Sequence, residues 1–62
     1  RYLQRIRVDE ASRLLVSSDL SISEIALETG FYDQAHLTRT FRRWMGMTPS
    51  EFRRESLPAA YP

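Results

Sequence analysis

Two helix-capping sequences set the strongest limit on what this chain can fold into. The tetrapeptides SISE at 21–24 and TPSE at 48–51 each place a hydroxyl residue three positions before a glutamate. In such a capping box the hydroxyl and the carboxylate each bond a backbone N–H group that a helix start leaves without a partner. Proline in the second tetrapeptide also occupies the first helical position, where it is favoured. The sequence therefore predicts helices that begin near 22 and 49.

Other signals complete the helical pattern. Asp33 is a good N-cap for a helix over 34–45, and Gly30 and Gly46 suit the left-handed conformation that follows a helix end. Residues 1–17 contain no Gly or Pro and place apolar side chains at helical spacing. These apolar side chains are Leu3, Ile6, Val8, Ala11, Leu14 and Leu15. Because this apolar surface is unusually broad, a helix over 1–17 is expected to have neighbours on two sides.

Together these predictions give one small all-α domain. We expect a long first helix over 1–17, a helix-turn-helix unit with a short closing helix over 18–55, and a C-terminal tail over 56–62. Two short capped helices joined by a turn that contains Gly are the helix-turn-helix layout, here of the homeodomain-like type. The 62 residues include no cysteine, which excludes disulfides and thiolate metal sites. No apolar run approaches the roughly 20 residues needed to span a bilayer, so no membrane association is expected.

Charge is unevenly distributed along the chain, although the net charge is only +1. Residues 17–33 carry four carboxylates and no base, whereas residues 34–62 carry five arginines and two glutamates. Every base in the chain is arginine, which is favoured where planar, bidentate contacts to phosphate or guanine are made. Composition alone is equally consistent with an ordinary mixed-charge surface.

The helix predicted over 34–45 has an apolar face and an opposite face that carries arginine. At about 100° per residue, the side chains predicted to be buried are Leu37, Phe41, Trp44 and Met45. The opposite, exposed face comprises Ala35, Arg39, Arg42 and Arg43, with Thr38 and His36 at its edges. Such a helix suits the major groove of DNA, where small residues allow close approach and Arg or Gln reaches base edges. A solvated polar face that binds nothing is the alternative interpretation.

Three segments of the sequence carry a resemblance to a known family. They are R-x-x-x-A-x-x-LL at 7–15, I-x-x-IA-x-x-x-GF at 22–31, and DQ-x-x-x-x-R-x-F-x-R-x-x-G-x-TP-x-x-x-R at 33–53. In combination they resemble the C-terminal part of the AraC/XylS-type DNA-binding domain, over nearly the whole chain. The resemblance implies a bacterial transcription regulator with two helix-turn-helix units joined by a long helix. It equates 1–17 with that linker helix and 18–55 with the second unit, so that the first unit is absent from this sequence.

The resemblance also assigns roles by position. The residues expected to face DNA bases are Gln34, Ala35, Thr38 and Arg39. Arg42 and Arg43 are expected to contact DNA phosphates. Apart from the resemblance, phosphate contacts are also expected at the helix start formed by Ser21 and Ile22, where N–H groups are free, and from the exposed His36. Tyr32, directly before the cap of the second helix, is larger than expected there and is placed to add a backbone or sugar contact.

For several aromatic and arginine side chains we favour a structural role over a contact with DNA. Phe41 and Trp44 are expected to pack in the core rather than to stack on bases. Arg7 is expected to brace the first helix rather than to touch DNA. Arg53 and Arg54 are expected to complement the dipole of the last helix, with a phosphate contact from one of them as the alternative.

We therefore predict sequence-specific binding of double-stranded DNA, with 34–45 as the recognition helix. The alternative is a helical protein-interaction module whose arginine face contacts an acidic partner such as RNA polymerase. An enzyme is not expected, because the sequence offers no carboxylate pair in a predicted cleft, no cysteine and a single histidine. The same lack of ligands leaves no metal site, and no cofactor is expected.

The resemblance also places the parent protein in the cell. It implies a cytoplasmic, nucleoid-associated transcription activator that is dimeric through a domain outside this chain and has RNA polymerase as a further partner.

Overall fold

The computed structural model describes residues 2–56, which form four helices and no strand. Helix α1 spans Tyr2–Ser17, α2 Ile22–Glu28, α3 Gln34–Met45 and α4 Pro49–Ser56. The all-α fold class is thus confirmed. Of the tail predicted over 56–62, Ser56 belongs to α4 and the remainder lies outside the described residues.

The predicted helix caps are all present. Ser21 and Glu24 form a reciprocal capping box at the start of α2, and the Asp33 side chain accepts a hydrogen bond from the backbone N–H of His36. Thr48 and Glu51 form the second capping box, with bonds of 2.9 and 3.1 Å. Gly30 and Gly46 have φ angles of +91° and +81°, where a side chain would be strained. These local bonds fix where α2, α3 and α4 begin.

A single hydrophobic core lies where α1 packs against α2, α3 and α4. Every helix contributes, and the turn after α2 adds Phe31. The buried apolar residues are Val8, Ala11, Leu15, Ile25, Ala26, Phe31, Leu37 and Phe41, with Phe52 of α4 packed against them. Because α1 packs against each of the other three helices, it helps to set the position of the helix-turn-helix pair.

The broad apolar surface of α1 is only partly covered. Val8, Ala11 and Leu15 are buried, whereas Leu3 and Ile6 near the start of the helix are 53% and 45% exposed. The sequence predicted neighbours on two sides of this helix; within the described residues, α2, α3 and α4 pack against it but leave the apolar surface near its start uncovered.

The prediction that Trp44 and Met45 are buried is wrong. Both residues are exposed, Trp44 to 38%, and the guanidinium of Arg5 lies 5.6 Å from the Trp44 ring centroid. A helical wheel gives the direction of a side chain but not how far the neighbouring helices extend along the axis. The apolar side of the last turn of α3 therefore stays partly exposed. The buried stripe of α3 is instead Leu37, Phe41 and Thr40.

Arg53 links α4 to the C-terminal end of α1. Its Nε donates to the carbonyl of Leu15 at 2.9 Å, and its Nη2 donates to the carbonyl of Ser18 at 3.2 Å. The last carbonyls of a helix have no partner within the helix, so Arg53 of α4 caps the C-terminal end of α1. The sequence had assigned Arg53 to the dipole of its own helix; the structure uses it on another one.

We expect Arg53→Met to lower the free energy of unfolding by about 1–2 kcal/mol, because two partly buried carbonyls lose a charged donor. Urea denaturation followed by circular dichroism measures this change. Arg54→Met is the matched control, since Arg54 is exposed on the same helix. Equal losses in the two variants would mean that the contact of Arg53 with α1 contributes nothing specific.

The capping boxes also make stability depend on pH. The backbone N–H of Ser21 lowers the pKa of Glu24, and that of Thr48 lowers the pKa of Glu51, from an ordinary value of 4.5. A carboxylate whose pKa is lower in the folded state stabilises the fold above its ordinary pKa and loses that contribution as pH falls. We expect the melting temperature to decrease as the pH is lowered below about 4.5. This decrease should be less steep in Glu24→Gln/Glu51→Gln. An identical acid profile in that variant would assign the effect to other carboxylates, such as Glu10 beside Arg13.

Candidate nucleic-acid interface

Helix α3 is held rigidly by its buried side. Leu37 and Phe41 are fully buried, and the Phe41 ring meets that of Phe52 edge to face at 5.4 Å. Thr40 of the same helix is also buried. Since these anchors fix the rotation of α3 about its axis, they also fix which residues the helix presents outward.

The outward side of α3 carries the arginines that the sequence placed there. We call Ala35, Arg39, Arg42 and Arg43 the arginine ridge; all four are exposed. Gln34 is exposed at the start of the helix, and Thr38 is half-buried at the edge of the ridge. The structure thus brings the four predicted base-facing residues onto one continuous surface with Arg42 and Arg43. The ridge begins with a small side chain and becomes long and cationic towards the C-terminal end of α3.

Few carboxylates lie near the ridge. Within residues 2–56 the ion pairs are Arg5–Asp9 and Arg13–Glu10, both inside α1. Asp33 is engaged at the N-cap of α3. Glu51 accepts a hydrogen bond from the N–H of Thr48, which lowers the pKa of Glu51. The charges of Arg42 and Arg54 lower this pKa further, so Arg42 lies near the Glu51 carboxylate. Arg39 and Arg43 therefore project a positive field that the described part of the chain leaves largely uncompensated.

The turn between α2 and α3 is braced by α1. A Cβ at Gly30 would lie 2.9 Å from Nε of Arg7, so the Arg7 side chain crosses directly over this glycine. Phe31, the next residue, is buried, and its N–H donates to the carbonyl of Ala26 at 2.9 Å. Arg7 of α1 thus packs against this turn, whereas the sequence expectation concerned the first helix itself.

His36 has a structural role at this turn. Its Nδ1 accepts a long hydrogen bond of 3.5 Å from the N–H of Tyr32, and its ring meets Phe31 edge to face at 5.3 Å. The side chain is half-buried. His36 therefore helps to hold the turn, at the edge of the surface where the sequence placed a phosphate contact.

The start of α2 has fewer free groups for a phosphate than the sequence predicted. The Ser21 hydroxyl accepts from the N–H of Glu24, and the Ser21 N–H donates to the Glu24 carboxylate at 2.8 Å. Ile22 is half-buried and packs against the core. Only the N–H groups of the first turn remain for a phosphate there, and they lie beside the negative charge of Glu24. Ser21 and Ile22 also lie on a different helix from the arginine ridge.

Two other kinds of site find no support in the described part of the chain. No three His, Asp or Glu side chains among those residues are grouped as metal ligands would be. None of the four helices is long and apolar enough to cross a membrane.

The chain is similar to known helix-turn-helix proteins. Residues 1–55 match the protein family described as "Helix-turn-helix domain". The HTH-type transcriptional activator RhaR of Enterobacter sp. (strain 638) is 39% identical over 59 residues, which are 95% of this chain and 21% of that protein. The HTH-type transcriptional activator RhaS of Escherichia fergusonii is 45% identical over 53 residues, which are 86% of this chain and 19% of that protein. The chain thus spans about a fifth of the length of these relatives.

A solved structure shares the fold. The C-terminal domain of AraT, a response regulator from Geobacillus stearothermophilus, superimposes with a TM-score of 0.85 at 34% sequence identity. The match covers 95% of this chain and 49% of that one. This chain therefore corresponds to about half of that larger chain.

Proposed function

Because this chain belongs to the AraC/XylS-type family of helix-turn-helix domains, which are DNA-binding domains and not enzymes, we propose that α3 reads duplex DNA in the major groove. The observation that carries this proposal is the exposed arginine ridge, set opposite the fully buried anchors Leu37 and Phe41. A recognition helix needs both a fixed rotation and an outward face rich in donors. An acidic protein partner for the same ridge has no comparable support.

The base-facing residues in this proposal are Gln34, Ala35, Thr38 and Arg39. Arg39 lies in the middle of α3 and can donate two bonds to the O6 and N7 atoms of a guanine, and Gln34 can pair with an adenine. Ala35 has no polar group, so its contribution is close approach and contact with a thymine methyl group.

The phosphate contacts in this proposal come chiefly from Arg42 and Arg43 in the last turn of α3. His36 is at the edge of the same surface, and the first-turn N–H groups next to Ser21 and Ile22 supply a weaker contact from α2. Phosphate contacts position the protein on the duplex, whereas base contacts select the sequence. Loss of a phosphate contact should therefore weaken binding to all duplexes alike.

The remaining assignments concern the longer regulator to which this domain belongs. We propose that residues 1–17 are a linker helix and 18–55 the second of two helix-turn-helix units, with the open apolar surface at Leu3, Ile6 and Trp44 covered by the first unit. The relatives are named activators, which supports activation as the outcome. Dimerisation through a domain outside this chain, contact with RNA polymerase and action at the nucleoid in the cytoplasm belong to the same proposal.

Fluorescence anisotropy with a labelled random-sequence duplex, across a series of salt concentrations, tests the DNA-binding proposal. Each phosphate neutralised contributes about −0.9 to the slope of log affinity against log salt. Arg39→Ala/Arg42→Ala should abolish binding or flatten this slope. Arg5→Ala/Arg13→Ala removes the same charge from α1 and is the matched control. Equal effects of the two double variants would contradict a specific role for α3.

A further inference from the structure

Tyr32 is an exposed aromatic side chain that the fold does not use. It is 85% exposed, the highest value among the large hydrophobic residues that the structure leaves on the surface. Exposed aromatic side chains with a polar tip are enriched where a protein meets a partner. Tyr32 lies one residue before the N-cap of α3 and is therefore close to any partner that binds the N-terminal end of that helix.

The backbone of Tyr32 is fixed on both sides. Phe31 before it is buried in the core, and Asp33 after it is held as the N-cap by its bond to His36 at 2.8 Å. The N–H of Tyr32 itself donates to His36. An aromatic side chain on a rigid backbone loses only the freedom of two torsion angles when it binds. The residue is therefore preorganised, although nothing within the chain requires its side chain.

The charges around this end of α3 explain why a neutral donor is suitable. Residues 17–33 carry four carboxylates and no base, and the arginines of α3 begin only at Arg39. A helix in the major groove has phosphates near both of its ends, but here only the C-terminal end carries guanidinium groups. An arginine next to the Asp33 carboxylate would be drawn into an ion pair. A tyrosine hydroxyl donates to phosphate without that competition.

We propose that Tyr32 binds DNA by donating its hydroxyl to a backbone phosphate beside the N-terminal end of α3, a role that rests on the DNA-binding function proposed above. Tyr32 then holds the uncharged end of the helix, while Arg42 and Arg43 hold the charged end. Contacts at both ends fix the register of Gln34 and Arg39 on the bases.

The test compares Tyr32→Phe, which removes only the hydroxyl, with wild type in the anisotropy salt series. We expect binding to weaken about three- to tenfold on every duplex, as for the loss of one ordinary solvent-exposed hydrogen bond. The salt slope should stay unchanged, because a neutral donor releases no counterion. Arg43→Ala provides the contrast, since its slope should fall by about 0.9. Ser17→Ala removes an exposed hydroxyl at the end of α1 and should bind as wild type does.

The test distinguishes failure of the Tyr32 contact from failure of DNA binding itself. Wild-type affinity of Tyr32→Phe at all salt concentrations would overturn the hydroxyl contact and leave DNA binding intact. A loss in Tyr32→Ala but not in Tyr32→Phe would likewise overturn it, in favour of a contact by the ring alone. A wild-type chain that binds no duplex even at low salt would overturn both proposals. Because Tyr32 is exposed, the melting temperature of Tyr32→Phe should match that of wild type, which excludes misfolding as the cause.

Discussion

Phe41→Ala is expected to remove a large part of the free energy of unfolding of the domain. Phe41 is fully buried, and its ring packs edge to face on Phe52. Truncating such a phenylalanine costs about 3–5 kcal/mol, whereas a domain of this length has roughly 3–9 kcal/mol of stability in total. Circular dichroism at 222 nm with urea denaturation measures the loss.

Trp44→Ala is the informative control, because it removes a larger ring from the same helix. Trp44 is 38% exposed, with the Arg5 guanidinium over its ring, whereas Phe41 is fully buried, so the loss of Trp44 should cost less than that of Phe41. A Trp44→Ala variant as unstable as Phe41→Ala would show that the last turn of α3 is buried after all. It would also mean that the rotation of α3 described above is wrong.

Arg39→Ala is expected to weaken binding to the preferred DNA site by about 1–3 kcal/mol and to relax selection at one base position. The reason is that Arg39 is exposed in the middle of the arginine ridge, where a bidentate contact to guanine is within its chemistry. Selection of preferred sites from a random pool, with wild type and variant in parallel, measures both the affinity and the specificity.

Arg43→Ala should behave differently from Arg39→Ala. Arg43 is expected to touch phosphate, so its loss should lower affinity on preferred and random duplexes by the same factor. If Arg39→Ala also weakens both kinds of duplex equally, Arg39 is a phosphate contact and the reading of bases must come from Gln34 and Thr38.

The features that the sequence predicted correctly are those set by neighbouring residues. Capping boxes at Ser21 and Thr48, the N-cap at Asp33 and the left-handed Gly46 each depend on atoms within four positions along the chain. Such bonds form the same way in almost any surrounding structure. Helix limits could therefore be read from the sequence, and the exposed face of α3 followed from its 3.6-residue period.

The features that the sequence could not supply depend on distant contacts. Arg53 bonds carbonyls 38 and 35 residues earlier in the chain, and no local pattern distinguishes it from Arg54. Trp44 has the right direction on the helical wheel, but the neighbouring helices leave it partly exposed. The bond between His36 and Tyr32 likewise depends on the path of the turn. Periodicity could place candidate residues on a face, but it could not show which of them the fold itself already uses.

Chemical protection of DNA tests the central claim, that α3 lies in the major groove, most directly. Dimethyl sulfate methylates guanine at N7, which faces the major groove, and adenine at N3, which faces the minor groove. On a duplex selected by the wild-type chain, we predict protection of guanine N7 beneath α3 and loss of that protection with Arg39→Ala. Protection of adenine N3 without any protection of guanine N7 would contradict the account, because it would place the protein in the opposite groove.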